Sequence, residues 1–215
     1  MINVNIASST KCLEGFINFD NSLFLHVIKR APFLTKFFPS KHAEIIDEYK
    51  DVCSKYDIRI FDCRKKLPFP DGFVNHALCS HYLEHLYKFD SDIFLENLYR
   101  SLCVGGTAHI IVPDLRLLID RYMAESSQTD GANPRLAAEH LNFGTLLTYG
   151  KAPSFTFSIL ESTGGFGLMH HFMFDRESLI SAVERVGFTV IDMPSSCPSF
   201  DYRQGDDSIH LYCVK

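Results

Sequence analysis

Apolar residues along this chain fall into short runs separated by polar turns, and the runs alternate between two periods. Residues 2–7, 16–19, 58–61, 73–79, 108–112, 188–193 and 208–214 are brief, apolar and rich in β-formers, as buried strands are. Residues 22–56 carry a helical pattern broken near Pro32 and Pro39, with Ser40 predicted to cap a helix running to Lys55. Residues 90–103 place Ile93, Phe94, Asn97, Leu98, Ser101 and Leu102 at helical spacing, and Gly105-Gly106 is expected to close that helix. Further helices are predicted over 115–124 and 175–186, the last closed by Gly187, and a short amphipathic helix is predicted to begin at Ser80-His81. The polar turn 8–15 is too short for a full helix.

Strands alternating with helices imply an α/β fold with a parallel sheet. The last two strands are joined by residues 194–207, which lack a helical pattern, so a hairpin with an antiparallel final strand fits. Residues 125–168 differ from the rest, with Gly, Ser, Thr, Asn and Pro throughout. They predict an insertion in a single domain spanning 1–215, with short helices over 134–148 and a flexible loop acting as a lid or binding loop. Residues 24–38 are apolar with Lys29, Arg30 and Lys36. They read as a core-facing helix with its basic residues outside or, alternatively, as a segment touching a membrane surface.

Composition narrows the classes. The net charge of −5 leaves no basic footprint for nucleic acid. The seven cysteines are odd in number, scattered and without a CxxC pair, as expected of reduced thiols in a cytoplasmic protein, and they offer no zinc ribbon. The amino-terminal residues lack a basic signal-peptide region, and no apolar run has the length of a membrane span.

The densest chemistry lies in 67–86, where Leu67-Pro-Phe-Pro-Asp-Gly72 leads through an apolar run to Ser80-His-Tyr-Leu-Glu-His-Leu86. With Val4-Asn-Ile-Ala-Ser-Ser9, Gly15-Phe-Ile-Asn-Phe-Asp20, Asp62-Cys-Arg64, Gly105-Gly106, Pro113-Asp114 and His170-His-Phe-Met-Phe-Asp175, it follows an ordered pattern. In order and spacing the chain resembles class I S-adenosylmethionine-dependent methyltransferases, and most closely their type 11-like subgroup. The resemblance implies a Rossmann-like, seven-stranded, mostly parallel sheet flanked by helices, of order 3-2-1-4-5-7-6 with strand seven antiparallel. It also implies S-adenosyl-L-methionine as cofactor and S-adenosyl-L-homocysteine as product.

By the same resemblance, cofactor binding falls to Ala7, Ser8, Ser9, Asp20, Asp62, Cys63, Ser80 and His81. Asp20 would accept both ribose hydroxyls, Asp62 and the Cys63 backbone would meet the adenine, and Ser80 and His81 would lie beside the sulfonium. Methyl transfer to a hydroxyl needs a general base. His81 and His170 are the catalytic candidates, with His85 one turn beyond His81. Asp114 and His171 are candidates for binding the acceptor, although Asp114 and Asp175 also suit helix N-termini. The subgroup's association with glycans favours a small-molecule or carbohydrate acceptor, and Tyr149, Phe155, Phe157 and Phe166 are candidate walls for it.

The chain departs from the family where Ala7 and Ser9 replace glycines. A left-handed Ser9 costs roughly 1–2 kcal/mol, which is expected to weaken cofactor binding without abolishing it. A degenerate loop also suits a non-catalytic methyltransferase-fold binding protein, and the fold alone leaves other nucleotide chemistry open. His81-Tyr-Leu-Glu-His85 further matches the HxxEH motif of zinc peptidases. In the methyltransferase reading the motif needs no metal.

Overall fold

A computed structural model describes residues 1–127, 134–146, 169–202 and 205–215. Seven strands form one sheet: β1 (Ile2–Ile6), β2 (Phe16–Asp20), β3 (Ile58–Ile60), β4 (Val74–Ser80), β5 (Leu102–Pro113), β6 (Thr189–Ile191) and β7 (Ser208–Val214). Their order is β3-β2-β1-β4-β5-β7-β6. β1 to β5 pair in parallel, whereas β7 runs antiparallel to both β5 and β6. The expected topology and terminal hairpin are therefore present. The helices are α1 (Leu23–Arg30), α2 (Ala43–Lys55), α3 (Lys88–Ser101), α4 (Leu115–Ser127), α5 (Pro134–Gly144) and α6 (Arg176–Arg185). No described helix is long and apolar enough to cross a membrane. Of the insertion expected at 125–168, α5 and the end of α4 are described, while Tyr149, Phe155, Phe157 and Phe166 lie outside the described residues.

The period-two pleat gives the two sheet faces different chemistry. Val4, Ile6, Phe19, Ala77, Cys79, Ala108, Ile110, Val112, Ile209, Leu211 and Cys213 belong to the main apolar core. Leu95 and Leu98 of α3 and Leu179 and Val183 of α6 complete that core. The intervening residues Asn5, Asn18, His76 and His109 are also buried, together with a small cluster of Phe16, Leu78 and Ile111.

This polar face meets loops, and its hydrogen bonds are made by side chains. No helix joins β1 to β2. Instead, the Asn5 side chain donates to the Lys11 carbonyl and to Asn18 Oδ1, both at 2.9 Å. Asn18 Nδ2 donates to the carbonyls of Leu13, Phe16 and Asp57 at 3.2 Å. Under residues 194–202, Ser199 Oγ lies 2.9 Å from both His76 Nε2 and His109 Nδ1. His109 Nε2 continues to His210 Nδ1 at 3.1 Å, and His210 Nε2 to Asp206 at 3.2 Å. An ionised carboxylate only accepts, so with neutral rings each donor in this chain runs toward Asp206. Burial holds the His76 ring down to about 4 and, with His210 and His76 nearby, the His109 ring down to about 3.

Several expected elements differ. Ser40 opens a 3₁₀ turn, Ser40–His42, and α2 starts after His42 without a side-chain cap. Gly105-Gly106 does not close α3, which ends at Ser101 where Leu102 turns extended. The pair sits inside β5, with Gly105 at φ +74 and Gly106 closed to a Cβ by the Cys103 carbonyl, 2.9 Å away. There the pairing with β4 shifts register, a bulge being the other structure that glycines mark. The amphipathic helix expected from Ser80 is only a 3₁₀ turn, Leu83–His85. Within 24–38, Leu25 is buried while Phe33 and Phe37 are largely exposed. The seven cysteines are free thiols.

Candidate functional site

The strand order reverses between β1 and β4, and in such sheets the crevice beyond the carboxyl ends is where ligands bind. Four described non-glycine residues have positive φ, and three of them, Ala7 (51°), Ser9 (48°) and His81 (50°), end β1 and β4. The positions that resemble family glycines thus keep the left-handed backbone that glycine favours. Because the folded chain already holds this conformation, its cost falls on folding rather than on binding.

Asp20 closes β2 at 8% exposure. It accepts from the Tyr49 hydroxyl at 2.8 Å and from the Ser22 N–H at 3.1 Å, and the Asn21 and Ser9 N–H groups also bond it. Burial nevertheless raises its carboxyl above the ordinary range, against those donors. Tyr49, on α2, was not foreseen as a site residue. Its hydroxyl also lies 3.4 Å from Ser9 Oγ, so it ties the β1 loop to the β2 end. A carboxylate offers about four acceptor positions, so a ribose would take the place of one of these donors. Ser8 is buried, with its N–H on the Phe19 carbonyl at 2.8 Å.

Asp62 pairs with Arg64 at 2.8 Å. Burial opposes its charge, but the guanidinium and N–H of Arg64 bring its carboxyl below the ordinary range. Cys63 is buried, and burial pushes its thiol up to about 12, making it packing rather than a nucleophile. The Ala7 backbone bonds this thiol, which links the ends of β1 and β3. Among the described residues, two buried hydroxyls have no hydrogen-bond partner: Ser80 Oγ and the hydroxyl of Tyr82. Burial raises the Tyr82 hydroxyl well above the ordinary range, with Cys63, Cys79 and Asp62 adding to the shift and Arg64 opposing it. Such orphans are uncommon in folded chains and suit a polar ligand.

His81 lies between two partners, with Nδ1 3.3 Å from Glu84 Oε1 and Nε2 3.2 Å from Ser208 Oγ. Glu84 is fully buried, and neither carboxylate oxygen has a hydrogen bond of good geometry. His170 is brought to the same place, its Nε2 4.0 Å from Glu84 Oε1. The Glu84 carbonyl accepts from the N–H groups of His171 (2.7 Å) and Phe172 (3.2 Å), which pins that segment to the turn. Burial lowers the His170 ring, with Glu84 opposing.

The other expected residues are otherwise engaged. Asp114 Oδ1 accepts from the Arg116 N–H at 2.8 Å, capping α4. His171 stacks on Tyr87 with ring centroids 4.2 Å apart. Asp175 forms a capping box with Ser178. His81 and His85 do not share a helical face: His81 is left-handed and only Leu83–His85 is helical, of the 3₁₀ kind. The HxxEH zinc-peptidase arrangement is therefore not formed.

No protein-family model matches the sequence, and no curated protein matches it. Solved structures do. A S-adenosylmethionine-dependent methyltransferase from Mesorhizobium loti aligns over 100% of this chain and 90% of its own, at 12% identity and a TM-score of 0.50. The PH0226 protein of Pyrococcus horikoshii OT3 aligns over 99% and 80%, at 14% identity and 0.53. A chain of the complex formed by the Haloferax volcanii Trm112 methyltransferase activator aligns over 99% and 81%, at 14% and 0.50. Strand order, the antiparallel β7 and these neighbours together define the class I S-adenosylmethionine-dependent methyltransferase fold.

Proposed function

We propose that the chain is a methyltransferase that binds S-adenosyl-L-methionine beyond β1, β2 and β4 and methylates a hydroxyl of a small-molecule or carbohydrate acceptor. The observation carrying this reading is the gathering of left-handed Ala7, Ser9 and His81 at the strand-order reversal, since such strain clusters where a site uses it. The buried residues fit the cofactor: Asp20 suits a diol, and the orphan hydroxyls of Ser80 and Tyr82 suit its polar atoms. When bound, S-adenosyl-L-methionine supplies an electrophilic methyl group on sulfur. The chain then has to align the acceptor and exclude water. His81 takes the acceptor proton as general base, and the buried Glu84 carboxylate 3.3 Å away stabilises the ring electrostatically as it charges. Asp114 and His171 flank the acceptor side in this reading.

One observation favours a second reading. Tyr49, Ser22, Asn21 and Ser9 already satisfy Asp20, as in a site converted to a binding module without catalysis. Calorimetric titration with S-adenosyl-L-methionine and S-adenosyl-L-homocysteine separates the two. The enzyme reading expects micromolar binding that Asp20→Ala weakens about tenfold or more, a difference of about 1.4 kcal/mol. Tyr49→Phe, which frees one acceptor position on Asp20, is expected to tighten it. Silence at millimolar ligand for wild type and Tyr49→Phe alike would sink the enzyme reading.

A further inference from the structure

We propose that Glu84, His85 and His170 form a binding site for a first-row divalent transition cation, with zinc the best fit. One oxygen of Glu84 and one ring nitrogen of each histidine lie within 4.8 Å of one another. Zinc bonds of about 2.0–2.2 Å place its ligands roughly 3.4 Å apart, so modest side-chain rotation closes the set. Two imidazoles and a carboxylate, with positions left open, suit zinc, cobalt, iron or manganese rather than calcium or magnesium.

Two independent features point to a cation. The Glu84 side chain is 1% exposed and both its oxygens lack hydrogen bonds, an arrangement strongly disfavoured for a carboxylate without a counter-charge. His81 Nδ1, at 3.3 Å, is too poorly oriented to bond it, and His170 Nε2 stands at 4.0 Å. Secondly, His85 Nδ1 lies 3.0 Å from the Met169 carbonyl. A carbonyl only accepts, so Nδ1 carries the proton and Nε2 presents a lone pair, the outer-shell arrangement of metal-bound histidines. The His170 ring turns its Nδ1 to Met173 Sδ at 3.1 Å, which leaves Nε2 on the Glu84 side, 4.0 Å from Oε1.

This site differs from the HxxEH peptidase arrangement, which needs His81 and His85 together. Here His81 is not a ligand, and His170, far along the chain, replaces it. His170 then serves as a ligand rather than as a base. The inference does not depend on cofactor binding, and its failure would leave the methyl-transfer reading standing.

The test is titration of Zn²⁺ and Co²⁺ into the full chain after chelator treatment, by calorimetry and visible absorption. One ion per chain is expected at micromolar affinity or better, with an N/O-type cobalt spectrum lacking thiolate charge transfer. Glu84→Gln and His170→Gln should each weaken binding by roughly a hundredfold. His140→Ala, at an exposed histidine paired with Glu125, should leave it within about twofold. X-ray absorption of the wild-type zinc form needs no variant and should report two imidazoles, oxygen and no sulfur. Absence of binding at millimolar ion, sulfur ligation, or affinity unchanged in both glutamine variants would overturn the site.

Discussion

The two faces of the sheet solve burial in different ways. One is apolar and covered by α3 and α6, with Leu95 and Leu179 fully buried. The other buries Asn5, Asn18, His76 and His109 and is closed by loops, whose backbone the asparagines bond and whose Ser199 hydroxyl the histidines bond. An apolar face tolerates volume-conserving exchange but not cavities. A polar face depends on every partner being present, because a lost partner strands a buried group. The contrast shows how this chain does without a β1–β2 helix: asparagine side chains supply the hydrogen bonds that a helix would make internally.

The largest expected effect tests the apolar face. Leu95→Ala should cost about 2–5 kcal/mol in denaturant unfolding, and Leu95→Met under about 1.5. The next separates the faces by pH. The folded-state values of His76 and His109 lie below the free value of 6.5, so the unfolded chain takes up protons first as pH falls. Stability is therefore full above about 6.5 and declines below it, toward about 4 for His76 and about 3 for His109. At about 1.4 kcal/mol per unit for each ring, some 4 kcal/mol is lost between pH 7 and 5. Thermal melts across that range should show it, and His76→Asn with His109→Gln should flatten the slope. A profile equally steep in the double variant would refute the assignment.

Asn18→Leu should cost about 2–3 kcal/mol despite its similar volume, because it leaves the part-buried Leu13 N–H and several carbonyls unpaired. If it were neutral, the polar face would be no more demanding than the apolar one. The smallest effect concerns the site where the strands end. Ser9→Gly should stabilise by about 0.5–1 kcal/mol, the relief of left-handed strain less the added freedom of the unfolded chain. A raised melting temperature checks it.

Much of the sheet was legible in advance because apolar runs of strand length need no partner to be recognised. The six-residue hydrophobic start, the run into Ser80 and the hairpin at 188–214 reappear as β1, β4 and β6–β7. Glycine was legible as a break but not as to its kind. A helix end and a bulge both ask for a small residue or positive φ, and only pairing with β4 made Gly105-Gly106 a bulge. The candidate site divides similarly. Asp20, Asp62, Ser80 and His81 stand at strand ends, where their order in the chain already put them. Tyr49 and Tyr82 carried no distinct signal, since a tyrosine on a helical pattern reads as surface or core until its neighbours are known, and Glu84 stood out only as the glutamate of the HxxEH match.

Sequence alone thus determined what local periodicity encodes: the strands, most helices, their alternation, and polar residues delivered to the strand ends. Tertiary structure decided which polar groups lost water. Burial of Glu84, the approach of His170 to it, the Tyr49 bond to Asp20 and the histidine chain through Ser199 all join residues far apart along the chain. Hydration is lost only when distant segments pack. The groups with unusual chemistry are therefore those that no local pattern marks.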